Sequence, residues 1–261
     1  MHWRSIVAAE LNYELGGREG APALVLTGSL GTDLTMWKTQ SDRLGDRFRT
    51  VRYDIRGHGR SEVPPGPYSI ADLGSDLLAL LDRLDIQRAA LCGLSIGGMT
   101  SMWVAAHHPE RVERLVLCCT SALLGPPETW HARVAAVRAG GLESIADAVL
   151  ERWFTPVFAS EHPEVIQRMR AQLVATPPEG YIGCCEAIAA MDLTGDLSSV
   201  TAPTLVLAAE QDLATPPEHG RRIAELIPGA RFQTVSPAAH IATVERPDLT
   251  TAMILRFLSD E

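Results

Sequence analysis

Ala89-Ala90-Leu91-Cys92-Gly93-Leu94-Ser95-Ile96-Gly97 decides the fold, because an apolar run ends there in Gly-x-Ser-x-Gly and a helical pattern opens at Met99 and continues to Ala106. That pattern at a strand-to-helix junction is a nucleophile elbow, a strained turn that exposes a serine hydroxyl. Glycines flank the serine because so tight a turn leaves no room for side chains. The pentapeptide is short, and a Gly-rich turn without chemistry would also satisfy it. Residues elsewhere must decide.

A serine nucleophile needs a base, and the base needs an orienting carboxylate. Where this elbow occurs, the chain order is Ser, then Asp or Glu, then His. Downstream, Thr204 to Ala209 is an apolar, partly β-branched run that predicts a buried parallel strand. Glu210-Gln211-Asp212 follows, and Thr215-Pro216-Pro217 then opens a helix. Asp212 therefore falls on the loop after a strand's C-terminal end, where open α/β sheets place ligands. The next predicted strand, Ala230 to Val235, leads through Ser236-Pro237-Ala238-Ala239 to His240, on the next such loop. Each residue has a plainer alternative. Asp212 also suits a helix cap, and His240 a surface loop. His58 is the rival base, but it precedes the elbow, and its setting, Arg56-Gly57-His58-Gly59, reads as a structural turn. His107 and His108 close the helix after the elbow, where they suit its negative end. Order and loop placement together select Ser95, Asp212 and His240.

The remaining chain predicts an α/β fold. Ala23 to Leu26, Arg49 to Tyr53 and Val112 to Cys118 read as strands, and Ile6 to Leu15 as an edge strand or hairpin. Ile70 to Leu84 carries leucines at helical spacing. Strands alternating with helices imply a parallel sheet covered on both faces. The alternation stops between about Leu123 and Val200, where only helical stretches appear: Trp130 to Ala139, Leu142 to Trp153 and Pro163 to Leu173. The expected organisation is a core of residues 1–122 and 201–261 with a helical cap, residues 123–200, over the site.

With 261 residues, 46% of them hydrophobic, the chain supports one domain plus an insertion. A net charge of −9 without a basic stripe argues against nucleic acid, and no run has the length to cross a bilayer. Met1-His2-Trp3-Arg4-Ser5 lacks a signal-peptide pattern. The odd set Cys92, Cys118, Cys119, Cys184 and Cys185 reads as reduced thiols, so a cytoplasmic location is expected. No zinc spacing, phosphate loop or dinucleotide glycine pattern is present, and neither metal nor cofactor is expected. The oligomeric state is left open.

Acyl transfer through Ser95 also needs an oxyanion hole. Ile96 N–H, from the residue after the nucleophile, is one expected donor. The second comes from Gly28-Ser29-Leu30-Gly31, with Ser29 and Leu30 as alternatives and Leu30 favoured.

With these loops placed, the chain resembles the α/β-hydrolases, and within them the 3-oxoadipate enol-lactonases of aromatic catabolism. The likeness runs through Ser29-Leu30-Gly31-Thr32, Tyr53-Asp54-Ile55-Arg56-Gly57-His58-Gly59 and the elbow. It continues with Trp130, Arg133, Arg152-Trp153-Phe154-Thr155, Gly180 to Cys185, Asp212 and His240. Thr27-Gly28 and Val235-Ser236-Pro237 depart from the family's wording and bear on substrate rather than on the triad. The resemblance implies a mostly parallel eight-stranded sheet flanked by helices and a helical cap. It also implies an anionic enol-lactone substrate opened through an acyl-enzyme. Its carboxylate would be bound by Arg133 first or Arg152 second, with Trp130 and Trp153 walling the pocket. Another carboxylesterase, lactonase or C–C bond hydrolase is the alternative, and a non-catalytic ligand-binding protein of the same fold the remote one.

Overall fold

The computed structural model describes residues 8–259. Seven strands form one sheet: β1 (Tyr13–Gly17), β2 (Ala23–Thr27), β3 (Arg49–Tyr53), β4 (Ala89–Leu94), β5 (Val112–Cys118), β6 (Thr204–Ala209) and β7 (Arg231–Val235). Their spatial order is β1-β3-β2-β4-β5-β6-β7. β1 runs antiparallel to β3, and every other pairing is parallel. β2, β4 and β6 are buried at every position, as parallel strands covered on both faces must be. The edge strands β1 and β7 keep exposed residues.

Helices cover this sheet. α1 (Lys38–Leu44) packs against β1 and β3, and α2 (Ile70–Arg83) lies against α3 (Ile96–His107), which rests on β4 and β5. α2 forms because Leu73, Leu77, Leu80 and Leu81 bury one stripe. Its first turn closes with a capping box, in which Ser69 and Asp72 satisfy each other's backbone N–H groups. Between β5 and β6 the chain forms five helices: α4 (Pro127–Gly140), α5 (Ala146–Trp153), α6 (Pro156–Glu161), α7 (Pro163–Ala175) and α8 (Pro178–Ala190). α9 (Pro217–Leu226) covers β6 and β7, and α10 (Ala242–Glu245) and α11 (Pro247–Ser259) complete the chain. No helix among the described residues is long and apolar enough to cross a membrane.

The strand order fixes where a site can form. From β2 the chain steps to β3 on one side, whereas β4 lies on β2's other side, so the order reverses between β2 and β4. Such a reversal opens a crevice beyond the strands' C-terminal ends. Thr27 of β2 pairs with Gly93 of β4, which sets the loop after β2 beside the elbow. β6 and β7 then deliver their loops along the same edge.

Two expectations change. The sheet has seven strands among the described residues, not eight. The first expected strand begins only at Tyr13, and its Ile6 and Val7 lie outside the described residues. The stretch from Leu142 to Trp153 is divided, because its first four residues form a tighter 3-10 turn before α5.

Candidate active site

Ser95 sits between β4 and α3 with φ 58° and ψ −120°, a backbone region that side chains other than glycine rarely occupy. Hydrogen bonds on both sides hold it there. Its N–H donates to the Cys118 carbonyl at 3.0 Å, and its carbonyl accepts from the Thr120 hydroxyl at 2.6 Å. The flanking glycines are required by close approach. A Cβ on Gly93 would lie 2.2 Å from the Gly97 carbonyl oxygen, and one on Gly97 would lie 2.3 Å from that of Thr27.

Asp212 and His240 come together from the loops after β6 and β7. His240 Nδ1–H donates to Asp212 Oδ2 at 2.9 Å. This fixes the tautomer and leaves Nε2 to act as an acceptor. Asp212 Oδ1 accepts the N–H groups of Ala214 and Thr215, each at 2.8 Å, and Oδ2 also accepts the Thr215 hydroxyl at 2.7 Å. Burial pushes the Asp212 carboxyl up, but the facing His240 and these hydrogen bonds outweigh it and hold it below its ordinary value.

From Ser29 to Thr32, the loop after β2 has one backbone donor to spare. Ser29 N–H goes to Met36 Sδ at 3.3 Å, Gly31 N–H to His58 Nε2 at 2.9 Å, and Thr32 N–H to the Ser29 carbonyl at 3.1 Å. Leu30 N–H meets no protein acceptor among the described residues, and neither does Ile96 N–H at the start of α3. Of the two alternatives for a second oxyanion donor, Leu30 is therefore free and Ser29 engaged.

A cavity of about 150 Å³ joins these elements, with Ser29, Leu30, Ser95 and His240 on its floor side and Trp130, Arg133, Arg152, Trp153 and Tyr181 from α4, α5 and α8. Trp130 is oriented by its indole N–H, which donates to the Leu124 carbonyl at 2.8 Å. The Arg133 guanidinium stacks 4.8 Å from the centre of the Trp130 ring. Half-buried, it faces no carboxylate ion partner among the described residues. Arg152 is exposed, whereas its neighbour Trp153 is buried. Burial pushes the Tyr181 hydroxyl well up, with the nearby Arg133 charge opposing the shift.

His58, the rival base, does not line this cavity. Both its ring nitrogens are engaged with backbone, and burial pulls its pKa down to about 4. The described residues contain no group of three or more His, Cys, Asp or Glu arranged for a metal.

Sequence reasoning assigns no role of their own to four residues, which form three groups. Tyr181 lies on α8, whose signal was Pro178 at the first helical position. Thr155 and Glu245 form the second omission: the Glu245 carboxylate accepts the Thr155 hydroxyl at 2.5 Å and the Ala239 N–H at 2.9 Å. Glu245 stands five residues after His240, where only the fold brings it to the Ala239 amide. Met36 is the third, its thioether holding the Ser29 N–H.

The chain matches the alpha/beta hydrolase fold family over residues 22–247. It is 40% identical to 3-oxoadipate enol-lactonase 2 of Acinetobacter baylyi over 249 residues, which cover 94% of this chain and 93% of that protein. It is 34% identical to 3-oxoadipate enol-lactonase 1 of the same organism over 238 residues, covering 91% and 89%. The crystal structure of the enol-lactonase from Burkholderia xenovorans LB400 aligns with a TM-score of 0.95 at 45% identity, over 97% of each chain. The elbow, the seven-stranded sheet and these likenesses have one reading: the chain belongs to the alpha/beta hydrolase family, and it is a hydrolase.

Proposed function

We propose that the chain opens 3-oxoadipate enol-lactone to 3-oxoadipate through an acyl-enzyme on Ser95. In this reading residues 123–200 form a cap over a core of 1–122 and 201–261. His240 Nε2, held by Asp212, takes the Ser95 proton as Oγ attacks the lactone carbonyl. Ile96 and Leu30 N–H groups receive the oxyanion. Collapse of the tetrahedral intermediate breaks the ring C–O bond. The departing enolate takes the proton from His240 and tautomerises to the ketone. Water, deprotonated by His240, then adds to the acyl carbon, the acyl–Oγ bond breaks, and Ser95 recovers its proton as the carboxylate product leaves.

The observation that carries this substrate class is Arg133. A half-buried guanidinium, stacked on Trp130 and unpaired with any described carboxylate, stands in the same cavity as Ser95 and His240. A planar, weakly hydrated cation so placed suits a substrate carboxylate, and the names of the curated relatives point to the same compound. Trp130 and Trp153 wall the pocket, and Arg152 stands at its exposed side. The five cysteines are unpaired and buried, which supports a reducing cytoplasm.

The test is hydrolysis of 3-oxoadipate enol-lactone by the wild-type protein and by Ser95→Ala. Rapid turnover that disappears in Ser95→Ala is expected. No wild-type turnover of this lactone alongside hydrolysis of simple esters would overturn the substrate assignment.

A further inference from the structure

The loop after β2 must hold Leu30 N–H still, yet loops are the mobile parts of a fold. Donors to a developing oxyanion act only when their geometry is held to within about half an ångström. The peptide group that carries Leu30 N–H lies between two anchored ones. On one side, Ser29 N–H is tied to Met36 Sδ; on the other, Gly31 N–H is tied to His58 Nε2 at 2.9 Å.

The chemistry of the His58 contact is unambiguous in direction. A backbone N–H only donates, so His58 Nε2 carries no proton and the ring's proton is on Nδ1. Nδ1 lies 3.2 Å from the Arg56 carbonyl, the acceptor such a proton needs. Arg56 is itself fixed, its guanidinium paired with buried Asp76 through Nε at 2.5 Å and Nη2 at 2.7 Å. His58 is fully buried between Gly57 and Gly59 and away from the cavity. It therefore has the build of a neutral strut from the Arg56 carbonyl to the Gly31 amide.

We propose that His58 is a positioning residue for the reaction: by accepting the Gly31 N–H it aims the adjacent Leu30 N–H at the oxyanion, without touching substrate. The inference rests on the Ser95 acyl-enzyme reading. It adds a role for a buried histidine that the triad does not use.

Two substitutions separate its two bonds. His58→Gln reaches as far as Nε2 with a carbonyl oxygen and keeps an acceptor for Gly31. His58→Asn keeps a donor near the Arg56 carbonyl but is too short to reach Gly31. Three quantities are measured: lactone kcat, affinity for an alkylboronic acid that forms a tetrahedral adduct on a serine nucleophile, and affinity for adipate as a ground-state dicarboxylate. In His58→Asn, kcat and boronate affinity are expected to fall together by up to about 10²-fold, the effect of losing one oxyanion donor. Adipate affinity stays unchanged, and His58→Gln recovers all but roughly tenfold of the loss. Wild-type kcat in His58→Asn, or an equal loss of adipate and boronate, overturns the proposal. So does failure of His58→Gln to recover more than His58→Asn.

Where the variants do not fold, the wild-type protein decides. With the His240 signals identified by their loss in His240→Ala, its ¹⁵N-histidine spectrum at neutral pH must show a second buried ring, that of His58, protonated on Nδ1 and bare on Nε2; a proton on Nε2 of that second ring overturns the assignment. Ser95→Ala distinguishes the two levels. If it still hydrolyses the lactone, the acyl-enzyme reading itself fails, whatever the His58 variants do.

Discussion

Replacing Arg133 by Met keeps a flexible apolar stem against Trp130 and removes only the guanidinium. Its effect follows from where that group stands. A carboxylate about 4 Å from the guanidinium, at an effective dielectric of about 20, gains roughly 4 kcal/mol. Arg133 is half-buried, so water replaces part of this, and a hydrogen bond to a charged group nets about 1.5–3 kcal/mol. A loss of roughly 3 kcal/mol, about 10²-fold in kcat/KM, is expected for 3-oxoadipate enol-lactone. The assay pairs this substrate with the uncharged lactone that carries a methyl group in place of the carboxymethyl group. Wild type and Arg133→Met should hydrolyse the methyl lactone within about threefold of each other, leaving nearly all of the 3 kcal/mol as a coupling between the two deletions. Arg152→Met, at an exposed position, should show a coupling below about 1 kcal/mol. Equal losses on both lactones in Arg133→Met would refute the reasoning, because the guanidinium would then be supporting the pocket and not reading the carboxylate.

Asp212→Asn removes the acceptor that fixes the His240 tautomer. Steady-state kinetics should show kcat lower by on the order of 10⁴, and a loss below tenfold would contradict the triad. Glu245→Leu leaves the Ala239 N–H and the Thr155 hydroxyl unpaired in a buried setting. Urea unfolding should show a loss of roughly 3 kcal/mol, and unchanged stability would mean that water replaces the carboxylate. Buried His58 titrates at about 4 in the folded protein, against about 6.5 in the unfolded chain. The unfolded state therefore binds its proton first as pH falls. The His58 contribution is complete above about pH 6.5 and is lost toward pH 4, with a slope of up to about 1.4 kcal/mol per pH unit. Urea midpoints measured across that window should fall less steeply in His58→Gln than in the wild type, and parallel curves would contradict the burial argument.

What was legible in the sequence was what depends on neighbours along the chain. β4 and β6 announce themselves as unbroken apolar runs because both faces of a parallel strand are covered. Asp212 is legible because it follows the buried run β6, and His240 because it stands on the loop after the next strand, β7, and the ends of parallel strands share one edge of the sheet. α8 was not found, for a related reason. Eight of its thirteen residues are buried, so it lacks the polar face that gives a helix its period, and Gly180 and Gly183 weaken its propensity. The different burial of Arg133 and Arg152 has a local signal. Arg133 lies three residues after Trp130, so both occupy one face of α4. Arg152 adjoins Trp153, and consecutive helical residues point in different directions. Hence Trp153 is buried while Arg152 is exposed.

The ties that aim the reacting groups were beyond sequence reading, because they join distant segments. His240 is held on both sides by the chain that carries the pocket wall. Ile241 N–H donates to the Trp153 carbonyl at 3.0 Å, and Ala239 N–H reaches Thr155 through the Glu245 carboxylate. Leu30 is held through Gly31, His58 and Arg56, and the Arg56 carbonyl also faces the Cys184 thiol of α8 at 3.8 Å. His240 and the loop after β2, the base and oxyanion loop of the proposed mechanism, are thus fastened to different helices of the segment between β5 and β6. The consequence is specific. A change in α8 should act through the oxyanion loop, lowering kcat and boronate affinity together. A change at Thr155 should displace His240 and lower kcat while boronate adducts lose less. A segment that merely covered the pocket would alter KM alone in both cases.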